Sequence, residues 1–276
     1  MTRTVLITGA GSGIGRALAK AHLARGDQVY GLDLDLDPME DLQADGLLPR
    51  RQDVSDTAGL RQACHEIWTA SGGIDWVYAN AGVPAAGRLT DVSEADFEAC
   101  FSVNVLAVWA TLQACAQLMI KEARAGRLCL TASEHALGFQ HAGAGIYTAS
   151  KHAVLGLADV WRRELPDEVK MSVLCPGLTN TSIGLAGDGP PAAQAFGQAM
   201  MAEGLSPEIV AEATIEGVER GDFIIATHAA SRLGWQARQD DVEAAFAHVP
   251  AAGQNVNLFA VPSVIRRVRA KLQGGA

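Results

Sequence analysis

The sequence of 276 residues has little that would tie it to a membrane. No stretch approaches roughly 18 consecutive apolar residues, the length that spans a bilayer. The N-terminal residues MTRTVLITGAGSG pass from a short polar start through a brief apolar run into glycines, so they lack the apolar core of a signal peptide. We therefore expect a soluble, cytoplasmic protein with no membrane partner.

The residue spacing of a metal site or a disulfide framework is also missing. The five cysteines are dispersed without CxxC spacing, which is typical of reduced thiols. The seven histidines contain no HxH or HExxH grouping, so the sequence predicts no metal site. The cysteines are Cys64, Cys100, Cys115, Cys129 and Cys175.

Basic residues are outnumbered. The chain has 22 lysines and arginines against 31 aspartates and glutamates, a formal net charge of −9. A field of that sign repels a phosphate backbone, so we expect no nucleic-acid partner. The segment VIRRVRAKL at 264–272 is basic and amphipathic, which is compatible with a membrane-surface helix or, as we favour, a solvated closing helix.

What the sequence does contain is a regular alternation of apolar, β-rich runs with longer segments of helical periodicity. Strands that are apolar on both faces, separated by helices, are typical of a parallel sheet covered on each side. We predict an α/β fold with a doubly wound, mostly parallel, seven-stranded sheet in one domain, 1–276. The predicted strands are 4–8, 28–34, 48–54, 74–80, 127–133, 169–176 and 222–227.

Start and stop signals place several helices between these strands. Periodicity and flanking glycines predict helices over 14–25 and 93–123, and Ser206 followed by Pro207 predicts another helix start. The segment 182–204 is apolar but punctuated by glycine and proline, which favours a substrate lid over an irregular surface helix pair. Residues 228–276 are predicted to form a C-terminal helical extension.

The first strand runs directly into TGAGSGIG, a glycine-rich turn before a helix. Glycines there let the backbone approach a diphosphate, and the helix N-terminus offers oriented N–H groups. Asp33 ends the second strand, where a carboxylate can accept both ribose hydroxyls of an adenosine and would repel a 2′-phosphate. The pattern favours NAD over NADP, although Asp33 could instead be a turn residue of an acidic loop.

A tyrosine and a lysine share one face of a later predicted helix. Tyr147 and Lys151 are four residues apart, one helical turn. A free phenol has a pKa of about 10, and an ammonium nearby favours the phenolate. Lys151 could therefore favour the phenolate of Tyr147, or the pair could be a tyrosine on a buried helix face beside a snorkelling lysine.

Five motifs occur in order at the ends of the predicted strands: TGAGSGIG, NAG at 80–82, the serine of RLCLTAS, YTASK and PG at 176–177. With them the chain resembles the compact type of the short-chain dehydrogenase/reductase family over roughly residues 3–227. The resemblance implies a Rossmann-type fold and an enzyme that moves a hydride between an alcohol or ketone carbon and a nicotinamide.

The resemblance also implies roles for individual side chains. Tyr147 would be the acid/base, and Lys151 would also bind the nicotinamide ribose. Ser133 would hold the substrate oxygen, with Thr131 as a nearby alternative hydroxyl. Asn104 would hold a water of a proton relay, or else satisfy a local carbonyl. The implied cofactor contacts are Gly9, Ser12, Gly13, Ile14, Gly15, Asp33, Asp53, Val54, Asn80, Ala81, Gly82, Tyr147, Lys151, Pro176, Gly177, Thr179 and Thr181.

Apolar residues around the predicted site favour a hydrophobic secondary alcohol or ketone, aromatic or alicyclic, as the substrate. Family members are commonly homotetramers or homodimers, and the resemblance implies the same here. Two alternatives are weaker. An epimerase or dehydratase of the extended branch usually carries a different glycine spacing, and a catalytically idle NAD-sensing regulator need not keep both Tyr147 and Lys151. The residues that could wall the pocket are Leu137, Phe139, Leu178, Met200 and Met201.

Overall fold

The computed structural model describes residues 2–181, 191–249 and 260–273, and of these the side chains of 191–193 are not described. The chain divides into two compact units, Met1–Trp235 and Gln236–Ala276. The larger unit contains the sheet and the candidate site. The part of the predicted lid at 182–190 lies outside the described residues.

The larger unit is built on a seven-stranded sheet in the order β3-β2-β1-β4-β5-β6-β7, in which every neighbouring pair is parallel. The predicted doubly wound sheet is therefore confirmed. The third strand, predicted to reach residue 54, ends at Arg51. The strands are β1 Thr4–Thr8, β2 Gln28–Asp33, β3 Leu48–Arg51, β4 Trp76–Ala79, β5 Gly126–Thr131, β6 Val169–Cys175 and β7 Ile224–Ala226.

Helices cover both faces of this sheet. Alternate residues along β1 belong to two separate buried clusters, with Leu6 in one and Val5 and Ile7 in the other, because successive strand side chains point to opposite faces. The described α-helices are α1 Gly13–Ala24, α2 Glu40–Ala44, α3 Thr57–Ser71, α4 Glu94–Phe101, α5 Val108–Lys121, α6 Gly145–Glu164, α7 Pro191–Ala202, α8 Pro207–Arg220, α9 Ser231–Phe246 and α10 Val261–Gln273.

The single helix predicted over 93–123 is interrupted. A π-helical turn, Ser102–Ala107, separates α4 from α5. The stretch Glu94–Lys121 is long and apolar enough to cross a membrane by composition, yet 61% of its most apolar window is buried within the protein. A core helix of a globular domain has the same properties, and its buried side packs against α3 and the sheet.

The sheet topology positions the candidate site. The strand order reverses between β1 and β4, so the loops after these two strands diverge at their carboxyl ends. Ligands of open α/β sheets bind in the crevice at such a switch point. The glycine turn follows β1 and the NAG segment follows β4, and both therefore lie at this crevice.

The smaller unit consists of the second part of α9 together with α10. The basic residues predicted for the closing helix lie on α10, and its apolar residues are exposed within this unit. These apolar residues are Val261, Val264, Ile265, Val268 and Leu272.

Candidate active site

The N-terminus of α1 is left open to a ligand. Its N-cap residue, Ser12, makes no side-chain capping bond, and its first turn holds no acidic residue. Three other helices are capped by side chains that accept from the backbone, among them α8, where Ser206 accepts from the Ile209 amide as predicted. The first N–H groups of α1 therefore remain available to an anion.

Glycine is required in this turn by space and by backbone conformation. A Cβ on Gly15 would lie 2.0 Å from the Gly9 carbonyl oxygen. Gly13 has φ of +50°, and a Cβ there would lie 2.9 Å from the Thr181 methyl group. A Cβ on Gly9 would lie 2.9 Å from the Ala81 backbone. The turn packs closely against the loops after β4 and β6, and these residues fit the diphosphate of a dinucleotide.

Asp33 is tied to the glycine turn. Its Oδ2 accepts a hydrogen bond from the Gly11 amide at 2.8 Å, and its Oδ1 accepts from the Asp35 amide at 3.3 Å. The carboxylate thus orders the loop on one side and keeps part of its surface exposed on the other. Asp33 is more than a turn residue, because it links the ends of β1 and β2.

Arg16 is a cation beside the glycine turn that the sequence pattern did not reveal. Arg16, on the first turns of α1, donates to the Pro38 carbonyl oxygen at 3.0 Å and to Asp41 Oδ1 at 2.7 Å. Its charge is therefore already engaged.

A cavity of about 340 Å³ is lined by Ser12, Gly13, Arg16, Ala17, Asn180, Thr181, Pro207 and Glu208.

The NAG segment is held by hydroxyl groups of neighbouring strands. The Thr8 hydroxyl accepts from the amides of Asn80 and Ala81 at 3.0 and 3.1 Å. The Thr131 hydroxyl donates to Asn80 Oδ1 at 3.0 Å. Thr131 is thus occupied in linking β4 to β5, which favours Ser133 as the hydroxyl that remains for a substrate.

The π-helical turn carries Asn104, which is fully buried. Its Oδ1 accepts from the Val83 amide at 2.8 Å, and its Nδ2 donates to the Val83 carbonyl oxygen and the Ser150 hydroxyl at 3.0 and 3.1 Å. The second of the two predicted roles, satisfying a local carbonyl, is therefore observed. Asn104 links the loop after β4 to α6, while a relay water stays a prediction.

Tyr147 and Ser133 meet at the carboxyl end of β5. Ser133 caps the short turn after the strand, and its side chain acts to lower the pKa of Tyr147. Burial acts in the opposite direction and is the larger effect, raising the pKa of Tyr147 to about 12. In the chain by itself, Tyr147 is a neutral phenol.

Lys151 is buried, with 2% of its surface exposed. Its Nζ donates to the Thr131 carbonyl oxygen at 2.8 Å and lies 5.5 Å from the centre of the Tyr147 ring. Burial lowers the pKa of Lys151 to about 8. The pKa of Tyr147 is not lowered in the protein alone, because burial outweighs the effect of Ser133, and the tuning of Tyr147 by Lys151 stays a prediction.

The loop after β6 is anchored by a histidine. The Gly177 amide donates to His228 Nδ1 at 3.0 Å, and His228 Nε2 donates to the Leu178 carbonyl oxygen at 2.8 Å. The Thr179 hydroxyl donates back to the Gly177 carbonyl oxygen at 3.0 Å, and Thr179 is buried. Thr181, beside Gly13, is better placed for a ligand. Pro176 precedes this loop, and its carbonyl oxygen accepts from the amide of Glu134 at 2.9 Å.

The remaining predicted cofactor contacts are placed less directly. Asp53 is exposed and its Oδ1 accepts from both the amide and the hydroxyl of Ser55. The Val54 side chain lies in the core, which leaves its backbone for an adenine. Ile14 packs partly on the core, and Gly82 lies beside the Asn104 amide and the Lys151 ammonium.

Residues 3–186 match the family described as short chain dehydrogenase, which is more than half of the chain. The chain belongs to the short chain dehydrogenase family. It is an oxidoreductase of that family, whose members use nicotinamide cofactors. A 3-phenylpropionate-dihydrodiol/cinnamic acid-dihydrodiol dehydrogenase of Escherichia coli is 32% identical over 220 residues, 75% of this chain and 77% of the relative.

Solved structures of the family are similar over most of the chain. A short chain dehydrogenase/reductase from Burkholderia phymatum in complex with NAD is 31% identical, with a TM-score of 0.82 over 88% of this chain and 95% of that one. An alcohol dehydrogenase from Thermococcus sibiricus, complexed with 5-hydroxy-NADP, is 26% identical, with a TM-score of 0.69 over 82% of this chain and 95% of that one.

Several residues that shape the site were missed by sequence reasoning. His228 contacts the loop after β6 from about 50 positions further along the chain, and the Ser231 hydroxyl donates to Glu134 Oε2 at 2.6 Å across 97 positions. No local pattern marks such partners. Thr8 and Ser150 lie within recognised motifs, but nothing in the sequence identifies the hydrogen-bond partners of their hydroxyls.

Proposed function

We propose that this short chain dehydrogenase uses NAD to oxidise a hydrophobic secondary alcohol, and to reduce the corresponding ketone. The observation that carries the proposal is the convergence of Ser133, Tyr147 and Lys151 at the carboxyl ends of the strands, beside the uncapped N-terminus of α1. An ordered acid/base and an open anion site are the two elements that hydride transfer requires from the protein.

The proposed chemistry assigns each side chain a task. Ser133 binds and polarises the substrate oxygen, and Tyr147 takes the proton from the carbinol hydroxyl during oxidation or returns it during reduction. When bound, the oxidised cofactor supplies the hydride acceptor and a formal positive charge. Lys151, held by the Thr131 carbonyl, favours the phenolate and binds a ribose hydroxyl.

Support for NAD over NADP comes from the end of β2. The Asp33 carboxylate disfavours a 2′-phosphate, and Arg16, on the first turns of α1, is engaged by Asp41 and the Pro38 carbonyl. The Burkholderia neighbour holds NAD, whereas the Thermococcus neighbour holds an NADP derivative. The local charge arrangement of this chain is therefore the argument for NAD.

Support for a hydrophobic substrate comes from apolar side chains in the loops after β5 and β6 and on α7. Leu137, Phe139 and Leu178 are half-buried near the ends of β5 and β6, and Met201 on α7 is buried. A cyclic or aromatic carbinol suits such walls. The Escherichia coli relative is named for dihydrodiols of aromatic acids, and we infer a ring-bearing carbinol for this chain also.

We further propose a homotetramer or homodimer in the cytoplasm, with no nucleic-acid or membrane partner. Large apolar side chains are exposed along the α4–α5 stretch and on α6, the elements that the resemblance implies for the contact. Light scattering behind size exclusion would test the assembly, and a monomer would contradict it. The side chains are Phe97, Leu106, Ile120 and Val160.

The proposed function is tested with a panel of hydrophobic secondary alcohols, NAD⁺ and NADP⁺, following the absorbance of the reduced nicotinamide. We expect turnover with NAD⁺ that falls by about 10²- to 10⁴-fold in Tyr147→Phe. Tyr78→Phe is the matched control, because Tyr78 bonds His22 in the core and should leave turnover unchanged. Turnover that persists in Tyr147→Phe would contradict the assignment of Tyr147 as the acid/base. Tight NAD⁺ binding without turnover of any alcohol would instead favour the regulator.

A further inference from the structure

A histidine lies directly against the proposed acid/base. His135, in the short turn after β5, packs edge-on to the Tyr147 ring with 5.3 Å between ring centres. On another side its ring meets the ring of His141 at 4.8 Å. His135 is 8% exposed and sits two residues after Ser133, so its ring borders the place where a substrate oxygen would bind.

The orientation of this imidazole is fixed through one of its nitrogens. His135 Nδ1 and the Thr148 hydroxyl form a hydrogen bond of 2.7 Å. Thr148 follows Tyr147 on α6, so the histidine is anchored to the same helical turn as the acid/base. An anchored ring keeps its other nitrogen in one direction, at little cost in side-chain entropy when a ligand binds.

The other nitrogen is available. His135 Nε2 makes no hydrogen bond among the residues that the structure describes. Nε2 is also not fully buried. In the described parts of the chain, Arg124 Nε is the one fully buried side-chain nitrogen or oxygen that lacks a hydrogen-bond partner, so an unpartnered Nε2 must retain some exposure. A polar group of a bound molecule can therefore reach Nε2.

The imidazole is suited to a hydroxyl group. Burial, together with the positive fields of His141 and His152, lowers the pKa of His135 to about 4, so the ring is neutral near pH 7. Depending on which nitrogen carries the proton, Nε2 donates or accepts. A hydroxyl can do either, so it pairs with both tautomers. A carboxylate or an ammonium would pair with one alone.

We propose that His135 is a specificity-determining residue, whose Nε2 binds a second hydroxyl on the carbon adjacent to the reacting carbinol, so that vicinal diols are preferred substrates. The inference rests on the proposed function and narrows its substrate class. Ser133 and Tyr147 bind the hydroxyl that is oxidised. During that step the carbinol C–H hydride passes to NAD⁺ and the hydroxyl proton to Tyr147, while the second hydroxyl is unchanged and the product is a hydroxyketone.

The test uses two compounds that differ by one hydroxyl, cis-1,2,3,4-tetrahydronaphthalene-1,2-diol and 1,2,3,4-tetrahydro-1-naphthol, each with saturating NAD⁺. In the wild type we expect kcat/KM to be about 5- to 10-fold higher for the diol, the size of one neutral hydrogen bond. His135→Phe keeps an aromatic ring against Tyr147 but has no Nε2. It should lose this diol advantage and oxidise the mono-alcohol within about twofold of the wild type.

Two further variants separate binding from packing. His135→Gln retains a polar side chain and should recover part of the diol advantage, and it serves also if His135→Phe fails to fold. His141→Phe changes the ring on the far side of His135 and should leave the diol advantage intact.

Failure of the inference is distinguishable from failure of the proposed function. An equal loss of kcat/KM for both compounds in His135→Phe would show that His135 has a packing role and would overturn the diol assignment. A wild type that oxidises the two compounds equally well would also overturn it. In both cases the dehydrogenase function stands. A wild type that oxidises neither compound nor any alcohol of the panel would overturn both.

Discussion

The Lys151 ammonium donates a hydrogen bond of 2.8 Å to the Thr131 carbonyl oxygen, which joins the middle of α6 to the last residue of β5. The bond holds a buried charge at the carboxyl edge of the sheet, within one turn of Tyr147. A carbonyl at the end of a strand lacks a partner within the sheet. The Lys151 ammonium supplies that hydrogen bond for Thr131, at the point where the sheet ends and the candidate site begins.

Lys151→Met should abolish activity with little change in stability. The substitution removes the ammonium that favours the phenolate, and we expect kcat to fall by at least about 100-fold. Removing a desolvated charge offsets the lost bond to Thr131, so the free energy of unfolding should stay within about 1 kcal/mol of the wild type. Urea denaturation and steady-state rates measure both. Lys121→Met, at an exposed position on α5, is the control and should change neither.

Asp33→Ser should shift the cofactor preference. It removes the carboxylate that disfavours a 2′-phosphate, and with it the acceptor of the Gly11 amide. We expect the ratio of kcat/KM for NAD⁺ to that for NADP⁺ to fall by about 10-fold or more, since a favourable charged hydrogen bond contributes about 1.5–3 kcal/mol. Asp35→Ser changes an exposed neighbour and should leave the ratio within about twofold. An unchanged ratio in Asp33→Ser would argue against the assigned role.

Gly15→Ala should disrupt dinucleotide binding, whereas Gly156→Ala should stabilise the protein. The new methyl at residue 15 would meet the Gly9 carbonyl at 2.0 Å, so the glycine turn must deform. At residue 156, on α6, nothing lies within 4 Å of the new methyl, and alanine favours the helix by about 0.5–1 kcal/mol. Calorimetric titration with NAD⁺ and thermal unfolding test the pair. Tight NAD⁺ binding by Gly15→Ala would contradict a diphosphate role for the turn.

Stability should fall as the pH drops from about 6.5 to about 4. Burial lowers the pKa of His135 to about 4 and also lowers the pKa of His22, whereas both titrate near 6.5 in the unfolded chain. Between those values the unfolded chain binds more protons, so each neutral imidazole contributes stability that is complete above about 6.5 and lost on acidification. The slope is at most about 1.4 kcal/mol per pH unit for each group.

Urea denaturation at several pH values, in the wild type and in His135→Gln, measures this dependence. The variant should show a shallower slope because it lacks one of the two buried imidazoles. His65→Gln, at an exposed position on α3, should keep the slope of the wild type. A wild type whose free energy of unfolding is constant between pH 7 and pH 4.5 would contradict the prediction.

Much of the fold is encoded locally, which is why it could be predicted. The β1 residues Thr4–Thr8 are apolar on both faces and lead into glycines, a pattern that names a buried parallel strand and its turn without further context. The start of α8 is fixed by Ser206 and Pro207 in the same way. The break between α4 and α5 was missed, because the apolar periodicity passes through the π-helical turn without interruption.

The identity and spacing of the chemistry-bearing residues can be read from the sequence alone: the glycine turn, Asp33 at a strand end, and Tyr147 one turn before Lys151. Their surroundings can be read only from the fold. The anchoring of Gly177 by His228, the hydrogen bond between His135 and Thr148, and the opposite pKa shifts of Tyr147 and Lys151 depend on packing between distant segments. Spacing along a helix is a local property, whereas desolvation is set by whichever parts of the chain pack around a group.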